Sequence, residues 1–220
     1  MSKKSDWTKE EIQRNYVDTM IAQTLPVNMK VEGQTRIHDF SQAESLLRDA
    51  KLISLAICDC REKVQGCGNP LDVCIGIDRE AEVLIAEGQA RQVNLEEALA
   101  ALHQSHEAGL VHISYTDKGD PKPFIICSCC ACCCHSLAGL MRFEIPEAVV
   151  AADFVAVQDD ETCIHCGTCI DRCHFQARRF EDGVLVFNSS KCFGCGVCTS
   201  TCPTGAISME ERSKVELQKD

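Results

Sequence analysis

Apolar residues in the first half of the chain recur with the spacing of amphipathic helices. The pattern Thr8-x-x-Glu11 is a capping box, and the apolar stripe behind it predicts a helix that runs to about Leu25. A second capping box begins at Ser41 and predicts a helix over 42–50. The first stripe is expected to pack against a core.

Short apolar runs between the helices predict strands. The run 52–57 ends directly at Cys58, and the runs 110–115 and 124–126 flank a turn rich in glycine, proline and aspartate. A third helix is predicted after Asn94, which begins another capping box. This mixture of helices and hairpin strands predicts an α+β fold.

Eighteen cysteines add a specific chemistry to this pattern. Eight of them form two copies of the run C-x2-C-x2-C-x3-C. The first copy holds Cys163, Cys166, Cys169 and Cys173, and the second holds Cys192, Cys195, Cys198 and Cys202. This spacing is the ligand pattern of [4Fe-4S] clusters. Four-cysteine zinc sites usually pair two short C-x2-C units across a longer gap, so zinc fits these eight cysteines poorly.

From about Asp153 to Met209 the chain resembles the two-cluster bacterial ferredoxins. The second copy follows the pattern of that family throughout, whereas the first has His174 in place of proline and His165 where glycine is commoner. The resemblance implies that the fourth cysteine of each copy crosses to the other cluster. The expected ligands are Cys163, Cys166, Cys169 and Cys202 for cluster I and Cys192, Cys195, Cys198 and Cys173 for cluster II.

The other ten cysteines precede residue 135 and form two groups at the ends of predicted strands. The first group is Cys58, Cys60, Cys67 and Cys74, and the second is Cys127, Cys129, Cys130, Cys132, Cys133 and Cys134. The order CxCR followed by CxCCxCCC resembles a family of uncharacterised iron–sulfur proteins from anaerobic bacteria, over Ile57–Leu140. This resemblance implies metal binding and brings no known activity with it.

The run from Cys127 to Cys134 contains no glycine or proline, which favours the first turns of a helix. On a helix, Cys129 and Cys133 share one face, and Cys130 shares a different face with Cys134. One cubane cannot use both faces. The run is therefore expected to serve two clusters, or one cluster larger than a cubane, so one or two further iron–sulfur clusters are predicted in the N-terminal half.

Other ligand chemistries stay open for these ten cysteines. The four cysteines of the first group could form one structural zinc site, and the CCxCCC run could trap a soft metal such as copper. His135 directly follows the run and is a candidate ligand. Arg61 follows CxC and is expected either to neutralise thiolate charge by hydrogen bonds or to lie on the surface.

The formal net charge of −11 at pH 7 bears on the partners. It argues against nucleic-acid binding, which needs a basic footprint, and favours a redox partner with a basic surface. The sequence contains no run of about 18 apolar residues, so no membrane span is predicted. The opening sequence MSKKSDWTKEEIQ lacks the apolar run of a signal peptide, so a cytoplasmic location with reduced thiols is expected.

The expected organisation is a cysteine-rich α+β domain at 1–150, a two-[4Fe-4S] ferredoxin domain at 151–210 and a charged tail at 211–220. The predicted function is the relay of low-potential electrons between a partner and an N-terminal iron–sulfur centre. Two alternatives stay open: a reductase whose N-terminal cluster binds a small substrate, and a protein that delivers iron–sulfur clusters or metal. The sequence contains no G-x-G-x-x-G motif, P-loop or evident acid–base pair that would favour an enzyme.

Overall fold

The computed structural model describes residues 5–32 and 35–216. The helices in this part of the chain are α1 (Lys9–Ile12), α2 (Ser41–Asp49), α3 (Asp59–Val64), α4 (Arg79–Ala86), α5 (Leu95–Glu107), α6 (His135–Arg142), α7 (Thr168–Asp171) and α8 (Val197–Thr201). The strands are β1 (Met20–Thr24), β2 (Asn28–Glu32), β3 (Thr35–Asp39), β4 (Ile53–Ile57), β5 (Asp72–Ile77), β6 (Ala90–Val93), β7 (Val111–Asp117), β8 (Pro123–Cys129), β9 (Phe154–Gln158), β10 (Arg178–Glu181), β11 (Val184–Phe187) and β12 (Ile207–Glu211).

The chain folds into two compact units, each with its own internal contacts. Unit 1 comprises Met1–Gln23 and Gln42–Val150, and unit 2 comprises Thr24–Ser41 and Ala151–Asp220. The segment Thr24–Ser41 therefore belongs to the unit that contains the eight ferredoxin-type cysteines. Helices and antiparallel strands are mixed in the chain, as the α+β prediction requires. Among the described helices, none is long and apolar enough to cross a bilayer.

Unit 1 is built on a six-stranded sheet with the strand order β1-β7-β8-β5-β4-β6. The pairs β7–β8, β8–β5, β5–β4 and β4–β6 are antiparallel. The helix α5 contacts the central strands of this sheet, and its residues Ala98 and Leu102 are fully buried. Burial of this apolar face is what holds the helix on the sheet.

The helix α5 begins and ends where the sequence predicts. The side chain of Asn94 accepts a hydrogen bond from the backbone N–H of Glu97, and the Glu97 carboxylate accepts one from the backbone N–H of Asn94. Gly109 follows the helix with a φ of 83°, which glycine adopts without strain. The predictions for α2, for β4 and for the hairpin of β7 and β8 are also confirmed, within a few residues.

The predicted helix from Thr8 to Leu25 is wrong beyond Val17. The α-helical turn α1 continues as a π-helical turn over Gln13–Val17, and the chain then enters the strand β1. Ala22 and Thr24 are buried on alternate positions of this strand, which is strand periodicity. Pairing with the sheet therefore overrides the helical stripe.

The cysteine-dense run is also not a helix. Strand β8 extends to Cys129, which pairs with Val111 of β7, and the residues from Cys130 to Cys134 form a turn before α6 begins at His135. The start of the run thus belongs to the antiparallel pairing of β7 with β8. The cysteines therefore do not lie on the helical faces that the sequence predicts.

Unit 2 contains the two cysteine runs as two similar loops, each followed by a short helix, α7 or α8. The strands β9 and β12 pair antiparallel, as do β10 with β11 and β2 with β3. Gly167 and Gly196 precede the two helices with φ values of 79° and 75°. Both glycines thus adopt a left-handed backbone, which glycine tolerates without strain.

The segment Thr24–Ser41 is joined to the second cysteine loop by backbone contacts. The N–H of Val27 donates to the Cys195 carbonyl at 3.2 Å, and the Thr24 hydroxyl donates to the Phe193 carbonyl at 2.5 Å. A Cβ atom on Gly196 would lie 1.9 Å from the Val27 carbonyl oxygen, so only glycine permits this approach.

Candidate metal centres

The eight cysteines of unit 2 come together as two sets of four. Group I, which lines one small cavity, is Cys163, Cys166, Cys169 and Cys202. Group II, which lines a second cavity, is Cys173, Cys192, Cys195 and Cys198. In each group, three cysteines come from one copy of the run and the fourth comes from the other copy. This is the crossed arrangement that the ferredoxin resemblance implies.

Backbone N–H groups point at thiol sulfurs in group II. The N–H of Ala156 donates to the Cys192 Sγ at 3.5 Å, and the N–H of Ala177 donates to the Cys173 Sγ at 3.3 Å. In group I, a side-chain hydrogen bond from Thr168 lowers the pKa of Cys166. Such donors stabilise the thiolate form that a metal requires.

A buried arginine that the sequence analysis missed lies beside both groups. Arg178 is 2% exposed, and its guanidinium donates to the Gln158 side chain at 2.8 Å and to the Ala156 carbonyl at 2.9 Å. Burial raises the pKa of Cys198 to about 12, and the charge of Arg178 acts against this rise. Burial also raises the pKa of Cys169, again opposed by Arg178.

The two departures from the ferredoxin pattern lie in the first copy. His165 has a φ of 51°, and Gly194 has a φ of 70° at the corresponding place in the second copy. The N–H of Leu185 donates to the His165 Nδ1 at 3.1 Å, which secures a non-glycine residue in this left-handed conformation. His174 follows Cys173 in a turn and is half-buried.

The ten cysteines of unit 1 divide into six and four. The six-cysteine ring consists of Cys58, Cys60, Cys134, Cys129, Cys127 and Cys74, and neighbouring thiols in this order interact around a closed circuit. The four-cysteine set consists of Cys67, Cys130, Cys132 and Cys133. The dense run thus contributes cysteines to both sets.

The ring is assembled from the ends of sheet strands. Cys58 follows β4, Cys74 lies in β5, and Cys127 and Cys129 lie two residues apart on one face of β8. Cys134 immediately precedes α6. All six ring cysteines line a cavity of about 210 Å³, and Cys130 and Cys133 of the four-cysteine set also reach its wall.

The side chains that complete the cavity wall include aromatic rings. Tyr16 and His135 stack with their ring centroids 3.5 Å apart, and Tyr115 approaches the same histidine at 5.7 Å. Burial lowers the pKa of His135 and raises that of Tyr16 to about 12. Burial at the ring cavity therefore disfavours the charged form of His135.

Charge is shared unevenly around the ring. Hydrogen bonds from Cys60 and Cys74 lower the pKa of Cys58 to about 3, whereas bonds to Cys134 and Cys58 raise the pKa of Cys60 well above its usual range. The pKa is thus lowered at Cys58 and Cys134 and raised at the other four thiols of the ring. This arrangement favours a bound cation that lets the remaining thiols ionise.

The four-cysteine set is compact. The Cys67 Sγ lies 3.8 Å from the Sγ atoms of both Cys130 and Cys133, and the Cys132 and Cys133 sulfurs are 3.9 Å apart. All four sulfurs lie within 4.8 Å of one another. Cys67 is therefore separated from the other three cysteines of the first group, and the zinc site proposed for that group is wrong as grouped.

Arg61 places a positive charge between the two sets. It is 2% exposed and donates to the carbonyls of Pro70 and Ser128. Burial disfavours its charge, but nearby thiolates at Cys58 and Cys130 outweigh this effect and raise its pKa. Of the two predictions made for Arg61, neutralisation of thiolate charge fits the structure, and a surface position does not.

Comparison with known proteins agrees with the C-terminal part of this description. A family model described as a 4Fe-4S dicluster domain matches residues 156–209, a range that contains all eight cysteines of groups I and II. No curated protein matches the chain. The match supports a ferredoxin-type domain in this region and, with the cysteine sets, iron–sulfur and metal binding. The resemblance of Ile57–Leu140 to iron–sulfur proteins of anaerobic bacteria stays a prediction.

Proposed function

We propose that this protein is an iron–sulfur electron carrier that relays low-potential electrons between a partner protein and a metal centre in unit 1. The observation that carries the proposal is the crossed grouping of eight cysteines within the dicluster match. Clusters bound by groups I and II would each take up and release one electron at a time. The expected setting is the cytoplasm, where thiols stay reduced.

The residues around the two groups would set the potential at which electrons are held. Backbone donors such as Ala156 and Ala177, and the charge of Arg178, favour the more negative, reduced state. The formal net charge of −11 opposes added negative charge. We expect the balance to lie near the ferredoxin end of the range, at about −400 mV.

Group I is proposed as the place where a partner exchanges electrons. Its Cys166 is exposed, whereas no cysteine of group II is. The neighbouring Ile164 is 62% exposed, and Phe180, which approaches Gly167, is 48% exposed. Exposed apolar side chains beside a redox site are typical of a contact surface, and the formal net charge of −11 would favour a basic partner.

Single serine substitutions test the ligand assignment. Cys173→Ser and Cys195→Ser should abolish the same reduced-cluster signal in electron paramagnetic resonance (EPR), because both residues belong to group II. Cys166→Ser and Cys202→Ser should abolish the other signal. If Cys173→Ser instead removed the signal that Cys166→Ser removes, the crossed assignment would be wrong.

A second candidate function is reduction of a small substrate in unit 1. The observation that favours it is the cavity of about 210 Å³, in which Tyr16, Tyr115 and His135 stand beside the six-cysteine ring. A metal centre bound by the ring would fill part of this space, and a small substrate would bind beside it, against the aromatic side chains of the wall. In this case the ring centre would receive electrons from groups I and II.

Turnover separates the two functions. Full-length protein reduced with dithionite would be given small inorganic oxidants, and Cys74→Ser would serve as the ring variant. Consumption of an oxidant by the parent protein, lost in Cys74→Ser while both ferredoxin-type EPR signals persist, would support the reductase. Exchange of electrons with redox dyes alone would exclude it.

A further inference from the structure

We propose that Cys67, Cys130, Cys132 and Cys133 hold a single tetrahedral metal ion, Zn²⁺ or Fe²⁺, with no bridging sulfide. The six-cysteine ring then serves a separate centre. This inference concerns a site in unit 1 and does not depend on the electron-transfer function proposed above.

The spacing of the sulfurs is the main evidence. With metal–sulfur bonds of about 2.3 Å, neighbouring sulfurs of a tetrahedral tetrathiolate lie about 3.8 Å apart. The observed distances are 3.8 Å for two pairs that include Cys67 and 3.9 Å for Cys132 with Cys133. Thiolates of a cubane bind different iron atoms across a sulfide-bridged core, so they stand further apart than thiolates on one ion.

The backbone around the set allows this close approach. Gly66 adjoins Cys67, and a Cβ atom there would lie 3.2 Å from the Cys132 carbonyl oxygen and 3.3 Å from the Cys133 Sγ. The Gly66 backbone also hydrogen-bonds the Cys133 sulfur. The space that a side chain at residue 66 would occupy is thus available to the cysteine sulfurs of the set.

Polar groups around the sulfurs complete a metal environment. The Asn69 side-chain amide donates to the Cys67 Sγ at 3.4 Å, and Arg61 hydrogen-bonds Cys130. The indole N–H of Trp7 donates to the Cys133 carbonyl at 2.7 Å and orients the turn. Donors to ligand sulfurs are the usual outer partners of a thiolate metal site.

The turn after β8 explains why adjacent cysteines join different sets. Cys129 ends the strand and belongs to the ring, whereas Cys130 begins the turn and belongs to the four-cysteine set. The backbone N–H of Cys134 returns to the Cys130 carbonyl at 3.0 Å, and Cys134 rejoins the ring. One reversal of the chain therefore supplies two separate sites.

Binding at the four-cysteine set is an exchange of protons for a cation, without electron transfer. The divalent ion forms four metal–sulfur bonds, and every thiol still protonated releases its proton to solvent. The Cys130 sulfur is hydrogen-bonded by the Cys132 thiol and by the Arg61 side chain. The buried charge of Arg61 offsets part of the negative charge of the product.

A pair of serine variants of the full chain tests the proposal. After anaerobic purification, Cys67→Ser should lose about one metal ion per chain, with acid-labile sulfide unchanged, because only the four-cysteine set is damaged. The matched variant Cys74→Ser alters the ring and should retain that ion. Loss of sulfide together with metal in Cys67→Ser would overturn the proposal, since it would place the residue on a sulfide-bridged cluster.

A second measurement uses the unaltered protein, in case the variants do not fold. Cobalt exchange at the partly accessible set should give the visible absorption of tetrahedral thiolate-bound Co²⁺, with sulfide content unchanged. Elemental analysis before exchange identifies the native ion as zinc or iron. If no cobalt enters unless sulfide is also lost, the proposal fails. The EPR signals of the reduced ferredoxin clusters are read separately, so failure of either proposal can be recognised without the other.

Discussion

Arg178 brings a buried positive charge to thiols of both cysteine groups in unit 2. It acts on Cys198 of group II and on Cys169 of group I, and hydrogen bonds to Gln158 and Ala156 fix its position. A cation near a cluster stabilises the reduced state, which carries one more negative charge. Arg178 is therefore expected to raise both cluster potentials.

Replacing Arg178 tests this effect. Arg178→Gln should lower the potentials of both clusters by roughly 50 mV, because a one-electron couple moves by about 59 mV for each tenfold change in its equilibrium constant. Arg179→Gln is the matched control, since Arg179 is exposed and pairs with Glu181. Potentials would be measured by EPR-monitored redox titration. Equal potentials in the two variants would show that Arg178 is only structural.

Gly196 offers a second test at the scale of a single residue. Its φ is 75°, and an added Cβ would collide with the Val27 carbonyl, whereas Gly183 has a φ of 82° with open space around it. Gly183→Ala should cost about 1–2 kcal/mol for left-handed backbone alone. Gly196→Ala should lower the stability clearly more than this. The group II cluster should be lost before the group I cluster. The loss of visible absorption on heating would compare the two variants; equal midpoints would mean that the close approach to Val27 does not matter.

Which cysteines belong together was predictable in one unit and not in the other. In unit 2, the C-x2-C-x2-C spacing keeps each triplet on one local loop, so the spacing and the ferredoxin resemblance together predict the same groups of four that line the two cavities. In unit 1, the division depends on where β8 ends, at Cys129, and on the turn that follows. This boundary is decided by pairing with Val111 across the sheet, which local sequence does not encode.

The capping box of α5 is the clearest case at the scale of an element. Asn94 and Glu97 satisfy each other's backbone N–H groups, so the start of the helix rests on local chemistry. Asn94→Ala should lower the free energy of unfolding of unit 1 by about 1 kcal/mol, and Asn94→Ser should restore most of it. Urea unfolding can be followed through Trp7, which is the one tryptophan of the chain and is 7% exposed. Equal loss in both variants would contradict a capping role.

Elements with such local signals were predicted, and those formed by long-range pairing were not. The capped helix α5 and the hairpin of β7 and β8 appear where the sequence places them. The apolar residues of β1 continue the stripe of α1 and so predict helix, and no local signal predicts α4. Contacts with the sheet determine the structure of both regions, and a single sequence does not reveal those contacts.

At the scale of the whole molecule, the formal net charge of −11 should govern encounters with a partner. Electron transfer to a basic acceptor protein should slow by about tenfold or more between 10 mM and 1 M salt, because screening shortens the reach of the attraction. Stopped-flow absorbance would measure the rate, with an uncharged dye as the control acceptor. If both acceptors responded alike to salt, charge would have no role in docking.

The central claim is that thiolates of this chain hold iron–sulfide clusters, and one measurement tests it most directly. Iron and acid-labile sulfide would be counted in the anaerobically purified full chain, and EPR spectra would be recorded after reduction. Groups I and II alone predict about eight iron atoms and about eight sulfides, with two reducible clusters. Colourless protein that carries only a closed-shell metal, without sulfide, would contradict the account.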